Sequence, residues 1–309
     1  MSMKTGKVKR NSLSRAARFK RLPRRWRRRI FSLAFLLPSL LGVGLFFIIP
    51  FGVVGYFSLV DSPFMPEFAG LSNYVKLMGN SAFLSAAKNT ALFSLTAVPL
   101  AVLLSLLMAI ILEQNIPWAS AFRTFFLTPL MVPTASIVLI WQVFFHDNGT
   151  MNLFLKNLGA DPVYWFKSSW SFIVVLTLFL WKNLGYNMIL FMAALNDIPR
   201  ELIEVADLDG AGGWQKFKYI KLRFLSPTIL FVGLMSLVNS FKVFREVYLL
   251  TGDYPYDTLY MLQHFMNNTF HSLDYQKLSS AAVILFVIMM VIIGLLFYLE
   301  DRFGKDLEG

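Results

Sequence analysis

No cysteine occurs in the 309 residues, which excludes disulfides, thiolate catalysis and cysteine-based metal sites. Charge is scarce too: 15% of residues are charged, where a soluble chain of this size carries about 25%. Only three histidines occur, His146, His264 and His271, and they lack zinc-type spacing with carboxylates. No G-x-x-x-x-G-K-[ST] phosphate loop is present, so the chain is not expected to hydrolyse ATP alone. Nothing resembles a nucleophile elbow. What fills the sequence instead is apolar surface, 56% of residues, in long runs almost free of charge. That pattern indicates an all-α integral membrane protein.

The net charge of +11 suggests a nucleic-acid partner until it is mapped. Residues 1–29 hold thirteen Lys or Arg and no acid, leaving sixteen basic residues against eighteen acidic in the rest. The basicity belongs to a tail. A polybasic segment beside a membrane span fits a cytoplasmic anchor on anionic lipid, and no nucleic-acid role is expected. The expected domains are this tail, 1–29, and a membrane domain, 30–309.

Six spans are predicted: within 30–60, then 89–112, 124–145, about 170–195, 224–250 and 278–299. With the N-terminus inside, the tail, 113–123, 197–223 and 300–309 hold twenty-one Lys or Arg, against five in 61–88, 146–169 and 251–277. That asymmetry places both termini and the 197–223 segment in the cytoplasm.

The 197–223 segment is the polar centre of the chain. It reads as a short helix, a glycine turn and a second helix ending near Arg223. Asp197 is the expected N-cap, with Pro199 in the first turn and Glu201 and Glu204 near the positive helix end. Gly210, Gly212 and Gly213 break the helix. A charged helical hairpin between spans suits docking of a soluble partner.

Ionisable residues inside spans are the second signal, since a charge at mid-bilayer costs roughly 2.5–3.5 kcal/mol and turns toward protein or water. Lys182, Asn183, Tyr186 and Asn187 fall in the fourth span. Asn239, Lys242 and Glu246 share a stripe of the fifth, with Lys242 and Glu246 spaced to pair. The stripes either line a solute path or serve packing and the membrane interface.

Glu204-Val205-Ala206, Asp209-Gly210-Ala211, Phe217, Ile220 and Leu222-Arg223 closely resemble the cytoplasmic signature of permease subunits of bacterial ABC importers. Val205 stands where that signature has Ala, and Arg223 where it has Pro. Phe68–Leu77, NTALFSL at the start of the second span, WKNLGYNMILFMAALNDIPRELIE and SFKVFREVYLLTG resemble the carbohydrate branch (maltose/glycerol-phosphate-like). The resemblance covers about residues 31–299 and implies the type I importer permease fold, with six spans and a coupling helix.

It also implies that Glu204, Ala206, Asp209, Gly210 and Ala211 seat on an ATPase subunit while Phe217 and Ile220 pack the second helix. The implied partners are a second, non-identical permease, two ATPase subunits carrying ATP and Mg, and an extracytoplasmic solute-binding protein. The chain itself would hold no cofactor. A sugar or oligosaccharide is the implied solute. A glycerol-phosphate-type anion remains open, and a self-sufficient secondary transporter is the alternative from another class.

Overall fold

A computed structural model describes residues 35–114 and 117–304. The basic tail lies outside them. The chain divides into two compact units at residue 56, within the first helix. That helix, α1 (Phe35–Ser58), contains a π turn at Gly44–Ile48.

The second unit is a helical bundle. After α2 (Ser72–Met78) comes α3 (Ser81–Glu113), about 50 Å long and so longer than a hydrocarbon core of ~30 Å. It begins eight residues before the predicted span because Asn80 caps it, accepting a hydrogen bond from the Phe83 N–H at 3.0 Å. Five described helices are long and apolar enough to cross a membrane.

The predicted third span is not one straight helix. It is a pair, α4 (Ala119–Met131) and α5 (Thr134–Phe144), bent by 103° at Val132–Pro133. Proline cannot donate the helical hydrogen bond and forces the residue before it out of the α region, so the chain turns there. Then follow α6 (Thr150–Asn157), α7 (Trp170–Asn196) and α8 (Arg200–Leu208).

Asp197 does not cap α8. It closes α7, its N–H bonded to the Ala193 carbonyl at 3.2 Å, and Pro199 occupies the cap position of α8. Pro199 again explains the break, since it disfavours a helical Ile198.

The second helix of the hairpin does not stop at Arg223 either. It is the start of α9 (Gly213–Thr251), which runs through a π turn at Phe217–Lys221 and straight on to Lys242. Pro227 is absorbed inside it, as membrane helices allow. A short break at Val243 precedes the last two turns, Phe244–Thr251. A 3₁₀ turn at Asp257–Leu259, α10 (Leu262–His271) and α11 (Tyr275–Gly304) complete the bundle.

Two apolar clusters hold α3, α7 and α9 together. One gathers Phe93, Ala97, Val175, Leu178 and Val247. The other, nearer α8, gathers Leu106, Ala109, Met188, Phe191, Leu195 and Leu225. Small residues let α3 approach closely: Ala86, Ala97, Ala101 and Ala109 are fully buried. Gly185 of α7 serves α4 in the same way, because a methyl group there would collide with the Phe126 carbonyl.

Candidate functional site

The hairpin is built from a helix stop that only glycine fits. Gly210 has φ +74°, in the left-handed region. The Ala211 N–H reaches the Ala206 carbonyl at 2.9 Å and the Gly210 N–H the Asp207 carbonyl at 3.0 Å. These are the paired bonds of a Schellman cap, so they account for the spacing between Ala206, Gly210 and Ala211. Gln215 then folds back to accept the Gly212 N–H at 2.8 Å and starts the next helix. Lys216 bridges to Asp207 at 2.6 Å, tying the two arms, and Lys221 bridges to Glu113 at 2.7 Å, tying the hairpin to the end of α3.

This hairpin has one face bound to the bundle and one open. Ile203, Phe217 and Ile220 pack against the cluster of α3, α7 and α9. Glu204, Val205, Leu208, Asp209 and Gly210 are exposed, Leu208 by 88%. Ala206 and Ala211 are half-buried. An apolar Leu and Val on a rigid, charged, solvent-facing helix form a compact knob rather than part of the core. The π turn at Phe217–Lys221 continues the second arm of the hairpin into the membrane-crossing part of α9 without a loop, and the Lys216–Asp207 ion pair ties α8 to that arm.

The second site lies between α7 and α9, at the middle of α7 and in the last third of α9. Lys182 forms an ion pair with Glu246. Asn239 donates to the Asn183 side-chain oxygen at 2.8 Å, and Asn183 donates to the Phe179 carbonyl at 2.7 Å. Asn187 donates to the Ser236 hydroxyl at 3.0 Å. The hydroxyls of Ser94 and Ser240 meet at 2.8 Å, bringing α3 into the same polar seam. Each bond satisfies groups that lipid could not.

Of the seven stripe residues expected from sequence, Lys182, Asn183, Asn239, Lys242 and Glu246 line one pocket of about 220 Å³, with Arg245. Asn187 is buried in the helix contact instead, and Tyr186 is exposed outside that lining. Lys242 does not pair with Glu246, because Lys182 has taken that carboxylate across the helix gap. Arg245 reaches Thr134 of α5 at 3.5 Å. Leu130, beside the bend of α4 and α5, closes the pocket wall.

The end of the bundle opposite α8 is held by buried amides and rings that sequence reading missed. Asn152 uses its whole side chain: it donates to the Asp147 and Val163 carbonyls and accepts from the Val163 N–H and the Trp165 indole, all at 2.8–3.0 Å. Asn89 donates to the carbonyls of Asp257 and Tyr260, and Thr90 accepts the Leu262 N–H at 2.9 Å. These pin the 251–277 loop onto α3. The only advance signal for Asn152 is a polar residue on an otherwise apolar helix face. His264 is fully buried beside Phe244, ring centroids 4.6 Å apart, at the break of α9. Burial lowers its pKa to about 4, against an opposing pull from Asp253. Among the described residues, no group of three His, Asp or Glu could hold a metal ion.

Residues 101–305 match the family described as the binding-protein-dependent transport system inner membrane component. The sulfoquinovosyl glycerol transport system permease SmoG of Agrobacterium fabrum is 31% identical over 93% of this chain and 96% of its own. The trehalose/maltose transport system permease MalF of Thermococcus litoralis is 30% identical over 88% of this chain and 93% of its own. The fold is shared with a chain of a bacterial ABC transporter involved in import of the acidic polysaccharide alginate. There the TM-score is 0.76 at 24% identity, over 91% of this chain and 99% of that one. An exposed helical knob tied to a membrane-crossing helix, in a chain matched over two-thirds of its length, leaves one conclusion. The chain belongs to the binding-protein-dependent transport system inner membrane component family and is a permease subunit of an ABC importer.

Proposed function

We propose that this chain imports a sugar or oligosaccharide, and that α8 transmits the ATPase cycle to the membrane path. The observation that carries the coupling half is the Schellman-capped α8, open on its Glu204–Gly210 face and tied to the start of α9 by the Lys216–Asp207 ion pair. In this reading α8, the 300–309 end and the N-terminal tail are cytoplasmic. Two ATPase subunits, binding ATP and Mg, receive α8 of this chain and the matching helix of a second, non-identical permease. A solute-binding protein docks at the opposite end, on the segments held by Asn152 and Asn89. The pocket of Lys182, Asn183, Asn239 and Lys242 lies on the solute path.

Relatives named for trehalose/maltose and sulfoquinovosyl glycerol transport support a glycoside as solute. Amides and paired charges suit hydroxyl groups, which donate and accept at once. A specific feature favours an anionic solute of the glycerol-phosphate type instead. Glu246 is spent on Lys182, and Lys242 and Arg245 face the pocket with no carboxylate partner among the described residues. The test is uptake by the assembled importer of labelled maltose, lactose and glycerol 3-phosphate. ATP-dependent uptake of either sugar supports the glycoside reading. Uptake of glycerol 3-phosphate alone, lost in Lys242→Gln, establishes the anionic one. Uptake without any ATPase subunit overturns the coupling role.

A further inference from the structure

A groove of about 690 Å³ runs between α3, α9 and α11, on the same half of the bundle as α8. Its walls are apolar along most of their length, with Pro99 and Leu103 from α3, Ile229, Leu230 and Gly233 from α9, and Leu296 from α11. Its polar side chains, Lys218, Arg223, Ser226 and Glu300, gather at the end nearest the hairpin. On α9 the basic lining, Lys218 and Arg223, lies roughly 9–22 Å along the helix from the apolar lining, Ile229 to Gly233, a separation comparable to the depth of one leaflet of a hydrocarbon core ~30 Å thick. The basic residues therefore stand at headgroup level and the apolar wall at acyl-chain level.

The charges are available. Neighbouring lysines are spent within the chain, Lys216 on Asp207 and Lys221 on Glu113. Lys218 and Arg223 have no carboxylate partner among the described residues; Lys218 lies 5.2 Å from the Tyr219 ring centroid. Glu300 offsets one of the two charges and leaves the groove end net positive, with a carboxylate that accepts hydrogen bonds from hydroxyl groups. The groove floor is empty as well: nothing lies within 4 Å of where a side chain on Gly233 would begin.

We propose that this groove is a binding site for an anionic diacyl phospholipid of the phosphatidylglycerol type. An acyl chain lies along Ile229–Gly233, the phosphate sits between Lys218 and Arg223, and Glu300 accepts from a glycerol hydroxyl. The apolar walls alone would suit a helix of a partner permease. A cationic end at headgroup depth matches a phosphodiester and gives an apolar helix nothing to bind.

The test uses the chain purified with its partner subunits, delipidated in mild detergent and titrated with phosphatidylglycerol or phosphatidylcholine. Bound lipid is read by native mass spectrometry. Wild type should retain phosphatidylglycerol over phosphatidylcholine. Lys218→Gln with Arg223→Gln should weaken phosphatidylglycerol binding by about five-fold per charge, ~30-fold together, and weaken phosphatidylcholine, whose phosphodiester is balanced by its choline, much less. Gly233→Phe should reduce both lipids by filling the acyl channel, with the assembly intact. Equal binding of the two lipids in wild type, or phosphatidylglycerol binding unaltered in the double variant, overturns the proposal. So does loss of the partner permease from Gly233→Phe with lipid unchanged, which would make the groove a subunit interface.

Discussion

Lys182 of α7 and Glu246 of α9 form an ion pair across the two helices that frame the polar pocket. Their side chains are 22% and 8% exposed, so the pair is largely withdrawn from solvent, Glu246 most of all. Breaking a buried pair from one side strands a charge and costs roughly 3–5 kcal/mol, while replacing both partners is far milder. Glu246→Gln should therefore lower the melting temperature of the purified assembly markedly, and Lys182→Gln/Glu246→Gln should recover most of the loss. Equal melting of the single and double variants would mean that no stranded charge lies behind the loss.

Gly185 faces the backbone of α4, so Gly185→Ala must push α4 away or leave a strained contact with the Phe126 carbonyl. Overpacking of this kind costs about 1–3 kcal/mol. Since Leu130 of α4 forms a wall of the pocket, transport should fall along with stability. Gly233→Ala is the control: its side chain would enter open space, and alanine is the better helix former. Thermal melting of the two variants side by side checks the contrast, and equal losses would dismiss the close approach at Gly185.

The long apolar runs made the membrane spans legible, because a stretch of about 20 such residues has few other stable settings. Breaks were harder to read. Pro133 was visible, yet a proline in a membrane helix either bends it or is absorbed, and only neighbouring packing decides: Pro227 is absorbed and Pro133 turns the chain by 103°. Arg223 lacks the signature proline, which left nothing to stop α9, but the π turn that fuses it to the hairpin has no local sequence mark. In the pocket, Lys182 and Glu246 were both visible as charges in apolar runs. Their pairing spans 64 positions and depends on helix register, which periodicity within one helix cannot supply. The Lys242–Glu246 spacing was equally suitable locally and lost to that long-range partner.

The knob separates folding from coupling. Glu204 is exposed and engages no basic partner among the described residues, so Glu204→Lys should leave insertion and melting temperature unchanged. Its reversed charge should nevertheless weaken seating on the ATPase. Gly210→Pro acts otherwise. Proline holds φ near −65° where the turn needs +74°, and it removes the N–H bonded to Asp207. That change should unfold the end of α8. Both variants should hydrolyse ATP without matching transport in proteoliposomes. Normal transport per ATP in Glu204→Lys would show that this face does not dock.

His264 should make the end of the bundle opposite α8 acid-labile. It is buried against Phe244 with its Nε2 unpartnered, and burial holds its pKa at about 4. An unfolded histidine titrates near 6.5. Above about pH 6.5 both states are neutral and the full stability is present. As pH falls from there toward 4, the unfolded state takes up a proton that the folded state refuses, so stability drops by up to ~1.4 kcal/mol per pH unit. Below about 4 the folded state binds the proton as well and the loss levels off. The decline should therefore appear between pH 6.5 and 4, and His264→Phe, which offers no proton site, should flatten that part of the curve. Melting temperatures at half-unit steps from pH 7.5 to 4.5 measure both, and parallel curves for the two proteins would show that His264 takes its proton without disturbing the fold.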